Sequence, residues 1–104
     1  MSSTLKSLKL LSDPTRLRIL MLLDQDSLSV AELQEILNMG QSRISTQLSQ
    51  LKGGGLVADE RSGKNNIYSC SAGNDLMKVA RGAAAEVAEV PADRTALNHL
   101  LRKR

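Results

Sequence analysis

Between Ser29 and Ser69 the chain spells two short amphipathic helices on either side of a three-residue stop, followed by two short strands around a polar turn. Ser29-Val30-Ala31-Glu32 is a capping box, in which the serine and the glutamate satisfy each other's free backbone N–H groups. It starts a helix over residues 30–37 that is expected to bury Ala31, Leu33, Ile36 and Leu37. Asn38-Met39-Gly40 is a stop signal of the kind that separates two helices by a short turn. A second helix follows over 41–52, and Gly53-Gly54-Gly55 breaks it. Residues 56–61 alternate weakly, 62–65 form a turn tip, and 66–70 return as a second strand.

Helix, turn, helix and hairpin in that order predict a winged helix-turn-helix, with duplex DNA as the leading partner. The flanks add helices. Leu5, Leu8 and Leu11, with Leu10 beside them, recur at helical spacing over 4–11, and Ser2 to Thr4 offers capping hydroxyls. Asp13-Pro14 closes that helix and opens the next, with aspartate as N-cap and proline at the first helical position. The second helix runs to Leu23. Its Leu17, Ile19, Leu20, Met21 and Leu23 make an apolar face too wide for a surface helix, so it is expected at the centre of the core, with Arg16 and Arg18 leaving at its edges. Residues 24–28 read as a polar turn. After the hairpin, Asn74-Asp75 caps a long helix to residue 90, with Leu76, Ala80, Ala83 and Val87 on one stripe and Met77, Ala84 and Ala88 beside it. Pro91 interrupts it, and 92–104 forms a last helix with a basic end.

The expected fold is therefore mainly α with a small β-wing, in the order α-α-α-α-β-β-α-α. A single domain spans 1–104, with the helix-turn-helix at 30–52 and the wing at 56–70. A domain of 104 residues buries only about 60 to 70% of its unfolded surface, so a homodimer is a plausible further source of stability.

Composition narrows the partner. A formal charge of +3 permits a polyanion without requiring one. With no Phe, no Trp and the single Tyr68, the chain lacks the aromatic platforms on which single-strand and RNA binders stack bases. Cys70 stands alone, so no internal disulfide forms, and a reducing cytoplasm suits the chain. No signal peptide and no apolar run of about 18 residues is present, so no membrane role is expected.

The chemistry is concentrated on the fourth helix. Ile44, Leu48 and Leu51 fall at i, i+4 and i+7 and must face the core, leaving Ser42, Arg43, Ser45, Thr46, Ser49 and Gln50 outside. That face is short, polar and free of acid, which suits the major groove. Arg43 can pair with guanine O6 and N7, serine and threonine can reach bases or phosphates, and Gln41 sits at the helix N-terminus where backbone donors favour a phosphate. A merely solvated helix would favour Glu and Lys over Ser, Thr and Gln, which are weaker choices there. At the wing, Arg61, Lys64, Asn65 and Asn66 can touch phosphates or the adjacent minor groove, although a polar hairpin is the ordinary alternative.

The run from Leu10 to Leu20, Leu-Leu-Ser-Asp-Pro-Thr-Arg-Leu-Arg-Ile-Leu, resembles the ArsR/SmtB family of bacterial repressors. So do Gln41-Ser42-Arg43-Ile44-Ser45-Thr46-Gln47-Leu48 and the Gly55-Leu56-Val57 entry to the wing, and the likeness covers residues 5–71. The resemblance implies a homodimeric winged-helix repressor that dimerises through its first and terminal helices, here 1–12 and 74–104, and leaves its operator when an inducer binds. The alanine stripe after Asn74, with Gly82 allowing close approach, suits that packing. Arg-His commonly stands in the family where this chain has Thr46-Gln47, so the operator preference does not carry over. Metal-sensing members place Cys-x-Cys in the third helix, where this chain has Ser29 and Ala31. The Asp-x-His site of the terminal helix is likewise unmatched, since His99 is the only histidine. No metal site and no cofactor are therefore expected.

The tail from Pro91, with Asp93-Arg94, Leu97 and Leu100-Leu101, is similar to the connector that precedes an S-adenosylmethionine-dependent methyltransferase in longer relatives. That likeness suggests a detached regulatory half of such a fusion, or a regulator answering to S-adenosylmethionine or S-adenosylhomocysteine. Two other classes remain open on the residues alone. An enzyme is disfavoured, because there is no Gly-x-Gly-x-x-Gly after a strand and no cysteine and histidine placed to act together. A winged-helix protein-interaction module without DNA binding is the nearer alternative, because Thr46-Gln47 removes positive charge from the reading face.

Overall fold

The computed structural model describes residues 3–104, so the expected capping hydroxyl of Ser2 lies outside the described residues. In chain order the elements are α1 (Ser3–Leu10), α2 (Pro14–Gln25), β1 (Leu28–Ser29), α3 (Val30–Leu37), α4 (Gln41–Gly53), β2 (Val57–Ser62), β3 (Asn65–Cys70), α5 (Asn74–Ala84) and α6 (Val90–Arg102). None of these helices is long and apolar enough to cross a membrane.

Helix α2 is the centre of the core, as its wide apolar face predicts. Asp13 caps it by accepting from the Arg16 N–H, and Pro14 opens its first turn. Leu17, Ile19, Leu20, Met21, Leu22 and Leu23 are all buried, and α4, α5, α6 and β3 pack around them. Ile19 and Leu20 have no exposed surface, a burial that stabilises by about 1.5 to 3 kcal/mol for each such side chain.

The sheet has three strands, in the order β1-β3-β2, where the sequence suggests two. Residues 24–28 are not all turn. Leu28 pairs with Tyr68, and Ser29 with Ile67, in an antiparallel bridge. A two-residue strand carries no periodicity, and only its pairing with residues about forty positions away defines it. The β2–β3 hairpin is also tighter than expected. Ser62 pairs with Asn65, so the tip is Gly63-Lys64 alone, and Gly63 supplies the positive φ of 62° that such a two-residue loop requires.

The glycine run has a clear physical role at the end of α4. Gly55 sits at φ 78°, its N–H donates to the Lys52 carbonyl, and the Leu56 N–H donates to the Leu51 carbonyl. That is a Schellman ending, closed by contact between the buried Leu51 and Leu56. Gly54 lies against the Leu10 side chain, whose Cδ1 would have to swing aside for a Cβ at that position.

Three further expectations change, all in the helices. Ala31 is exposed rather than buried, because it lies about 200° around α3 from Leu33, on the far side from Ile36 and Leu37. The buried stripe of α5 is Met77, Ala80 and Ala84, with Leu76, Ala83 and Val87 half-buried and Ala88 exposed, a rotation of one position from the expected stripe. The long helix to residue 90 does not form. α5 ends at Ala84, tightens through Glu86 N–H to Ala83 and Val87 N–H to Ala84, and a new helix begins at Val90 with Pro91 in its first turn. Pro91 thus starts a helix rather than interrupting one. The bend turns Val90, Leu97 and Leu100 onto the chain's own core, where α6 packs on α2 and α3.

The bend also brings together an ion pair that local sequence does not reveal. Arg18 Nε and Nη2 donate to the two carboxylate oxygens of Asp93 at 2.8 and 2.9 Å, joining α2 to α6. Their side chains retain 15% and 7% of their exposure. The bond to Asp93 holds the Arg18 guanidinium above its ordinary pKa against the opposing effect of burial. Removing one partner strands the other in a partly dry site. Asp93→Ala should therefore destabilise the fold by about 3 kcal/mol, the low end for a buried pair because Arg18 keeps some access to water, as measured by urea denaturation.

Candidate nucleic-acid interface

Ile44, Leu48 and Leu51 are fully buried and fix the rotation of α4 about its axis. Ser42, Arg43, Ser45, Thr46 and Ser49 are consequently exposed around the rest of the helix, while Gln41, on the same side as Leu48, is exposed as the first residue of the helix. Gly40 is the N-cap and has no side chain to bond the first-turn N–H groups, so those donors at Gln41 and Ser42 have no capping side chain. Arg43 leans back, with Nη2 donating to Thr15 Oγ1 at 3.2 Å near the start of α2. The acceptor is an uncharged hydroxyl, which a charged phosphate or a guanine edge can replace.

Gln47 and Gln50 belong to a brace that the sequence does not reveal. Their Oε1 atoms accept from Arg16 Nη1 at 3.1 and 2.9 Å, while Arg16 Nε donates to the Leu10 carbonyl at 2.7 Å. One guanidinium therefore ties α4 to the end of α1. The available signal was two glutamines three apart on α4, which places both on one edge of the helix.

At the wing, Arg61, Lys64, Asn65 and Asn66 are all exposed. Arg61 Nε donates to the Gly63 carbonyl at 3.0 Å and so lies along the turn. The wing is anchored at its root. Lys52 Nζ lies 2.7 Å from Asp59 Oδ1, joining the last turn of α4 to β2, and that bond raises the Lys52 pKa. The site residues thus form two groups, one on the α4 face and one at the hairpin tip, and no hydrogen bond joins them among the described residues.

The start of α3 carries a second ionic cluster. The capping box is present: Ser29 Oγ accepts from the Glu32 N–H at 3.2 Å, and Glu32 Oε1 accepts from the Ser29 N–H at 3.0 Å. Arg104 reaches the same carboxylate with Nη2 at 2.8 Å and also donates to the Ser27 carbonyl at 3.1 Å. A recess of about 420 Å³ lies beside this cluster, bordered by Asn65 and Ile67 of the wing. Ser29 Oγ is thus occupied as the cap of α3. Cys70 is half-buried with its Sγ 3.6 Å from Met77 Sδ, a soft packing contact, and His99 is exposed on α6.

A family model described as bacterial regulatory protein, arsR family, matches residues 13–59, from the α2 cap through the helix-turn-helix into β2. The HTH-type transcriptional regulator Rv0081 of Mycobacterium tuberculosis is 39% identical over 95 residues, covering 90% of this chain and 82% of that one. The chain belongs to the ArsR family. The crystal structure of Rv0081 superposes with a TM-score of 0.68 at 35% identity, over 88% of this chain and 92% of that one. The homodimeric winged helix-turn-helix DNA-binding domain of Mb0332 from Mycobacterium bovis, a possible ArsR-family regulator solved by NMR, gives 0.70 at 28% identity, over 85% and 81%. The regulator NmtR of M. tuberculosis is 41% identical over 63 residues, covering 61% of this chain. The match spans about half of NmtR, 52% of its length. The ArsR-family chain described here is thus a mainly helical winged helix-turn-helix whose relatives are transcriptional regulators.

Glu32 gives this ArsR-family fold a definite acid response. Burial pushes its pKa up, but the bonds from Arg104 and Ser29 outweigh that, and the net direction is down. A carboxylate depressed in the folded state contributes stability that is complete above its unfolded value and is lost as pH falls through the folded one. Glu32→Gln should therefore lower stability at neutral pH and flatten the loss below the ordinary glutamate range, read from urea midpoints across an acid series.

Proposed function

We propose that the chain is a homodimeric, sequence-specific repressor that grips duplex DNA with α4 and the wing and is released by a non-metal effector in the cytoplasm. The observation that carries this reading is the α4 face. Six exposed side chains from Gln41 to Ser49 include one arginine and no acid, and three fully buried residues behind them hold the helix at one rotation. A polar helix of this width enters a major groove, where Arg43 can exchange Thr15 for a guanine edge and the uncapped first turn can face a phosphate. The wing tip, with Lys64 and Asn65 on a tight two-residue loop, is suited to the flanking backbone.

Dimerisation is supported by the surface left on α1 and α5. Leu5, Leu8 and Val79 are 70%, 41% and 50% exposed, and Leu8 and Val79 border one shallow recess with Leu76. The partner surface is therefore assigned to α1 and α5, while α6 keeps its apolar side for its own domain. Two copies of α4 about 34 Å apart would read successive major grooves of an imperfect palindrome. Metal release is disfavoured by the use of Ser29 as a cap, and S-adenosylmethionine or S-adenosylhomocysteine is the effector proposed from the tail. A calorimetric titration with each compound, with and without DNA, tests that part separately.

Selection of genomic fragments by the purified protein at low salt tests the core of the proposal. Recovery of a common palindrome supports it, and no retention at low salt leaves a protein-interaction module instead. Arg43→Ala should weaken each half-site by about 1 to 3 kcal/mol and relax preference at one position in each, whereas Lys64→Ala should weaken all sequences alike and lower the salt slope of the dimer by about two, one contact from each protomer. Glutamate at Leu8 and Val79 together should convert the dimer to monomer in sedimentation.

A further inference from the structure

Lys6 and Lys9 stand three residues apart on α1, both exposed, and neither has a carboxylate at ion-pair distance among the described residues. Together with Leu10, Arg16 and Gln50 they line a recess of about 350 Å³. No acid borders it. Neither α1 nor α4 contains an acidic residue, and the nearby Asp13 carboxylate is turned to the Arg16 backbone N–H at 3.0 Å as the cap of α2.

Two lysines on a helix are ordinarily just solvated. What distinguishes this pair is the third cation. Arg16 is held by bonds from its Nε and Nη1 to Leu10, Gln47 and Gln50, while Nη2 has no acceptor among the described residues. Two of those bonds end on α4 itself, so the guanidinium is registered to the reading helix rather than free on its stem. A planar donor fixed in this way, flanked by two mobile ammonium groups and bordered by an α4 side chain, has the chemistry of a phosphate clamp.

We propose that Lys6, Lys9 and Arg16 hold a DNA phosphodiester, extending the footprint beyond the α4 face and the wing. The proposal rests on the DNA-binding reading above. The recess sets the register of α4 in the groove, because the cation that meets the backbone is bonded to the helix that meets the bases. It carries no sequence information of its own, since phosphates are alike at every step.

The test is the salt dependence of binding to one duplex, measured for the full chain and for two double variants. Lys6→Ala with Lys9→Ala should lower the slope of log K against log salt by about two for the dimer, one phosphodiester from each protomer, and should weaken specific and unrelated duplexes by the same factor. Lys6→Arg with Lys9→Arg should restore the slope. Arg94→Ala with Arg102→Ala removes the same charge from exposed positions on α6, and should leave the slope within about half a unit of wild type. Equal losses in the two alanine pairs would mean a net-charge effect and overturn the clamp, as would an unchanged slope in the first pair. A wild-type chain that binds no duplex at low salt would instead overturn the DNA-binding reading. Inorganic phosphate titrated without DNA at constant ionic strength separates a free anion from a backbone one. Saturable low-millimolar shifts of the Lys6 and Lys9 amide resonances would assign the recess to the free ion and overturn the phosphodiester.

Discussion

The burial of α2 on all sides is the constraint on which the rest depends. Its apolar residues occupy almost the whole circumference from Leu17 to Leu23, so the helix is stable only when other elements surround it. α4, α5, α6 and β3 are those elements, and each brings an apolar stripe to a shared axis. The rotation of α4, and with it the set of side chains it shows to solvent, follows from Ile44, Leu48 and Leu51 seeking that core. The exposed face is thus a by-product of packing, and its chemistry is free to vary while the scaffold stays the same.

The two arginines at the edges of α2 extend the same logic to polar contacts. Arg18 points one way and closes on Asp93 of α6, while Arg16 points the other way and closes on Gln47 and Gln50 of α4. Each arrives with its stem on the apolar helix and its head at the boundary, the usual compromise for a long cationic side chain. The central helix is therefore bonded both to the element that presents the reading face and to the element that closes the domain.

What could be read in the chain divides along a physical line. Periodicity and local chemistry found α2, α3, α4, the capping box, the Asn38 turn and the hairpin, because each is decided by residues a few positions apart. The third strand was invisible, since Leu28 and Ser29 are defined only by bonding to Ile67 and Tyr68. The break after Ala84 is not legible, because 85–89 are reasonable helix formers, and what turns the chain is the gain from seating Val90, Leu97 and Leu100 on the core. On the candidate site, spacing was enough to select the exposed positions of α4 and the wing tip, and the structure places them there. It did not disclose that Arg16 engages Gln47 and Gln50, a contact across about thirty residues.

On the proposed function, that engagement limits how much of α4 is free to discriminate between bases. A glutamine whose amide oxygen is already accepting from a guanidinium offers an adenine only half of the bidentate pair that recognition needs. The edge of the helix that carries Gln47 and Gln50 thus serves as a splint, and on the proposed function discrimination falls to Ser42, Arg43, Ser45, Thr46 and Ser49. On the proposed function, a half-site would be read at few positions, and the remaining selectivity would fall to how easily a sequence bends or narrows to meet the two copies of the protein.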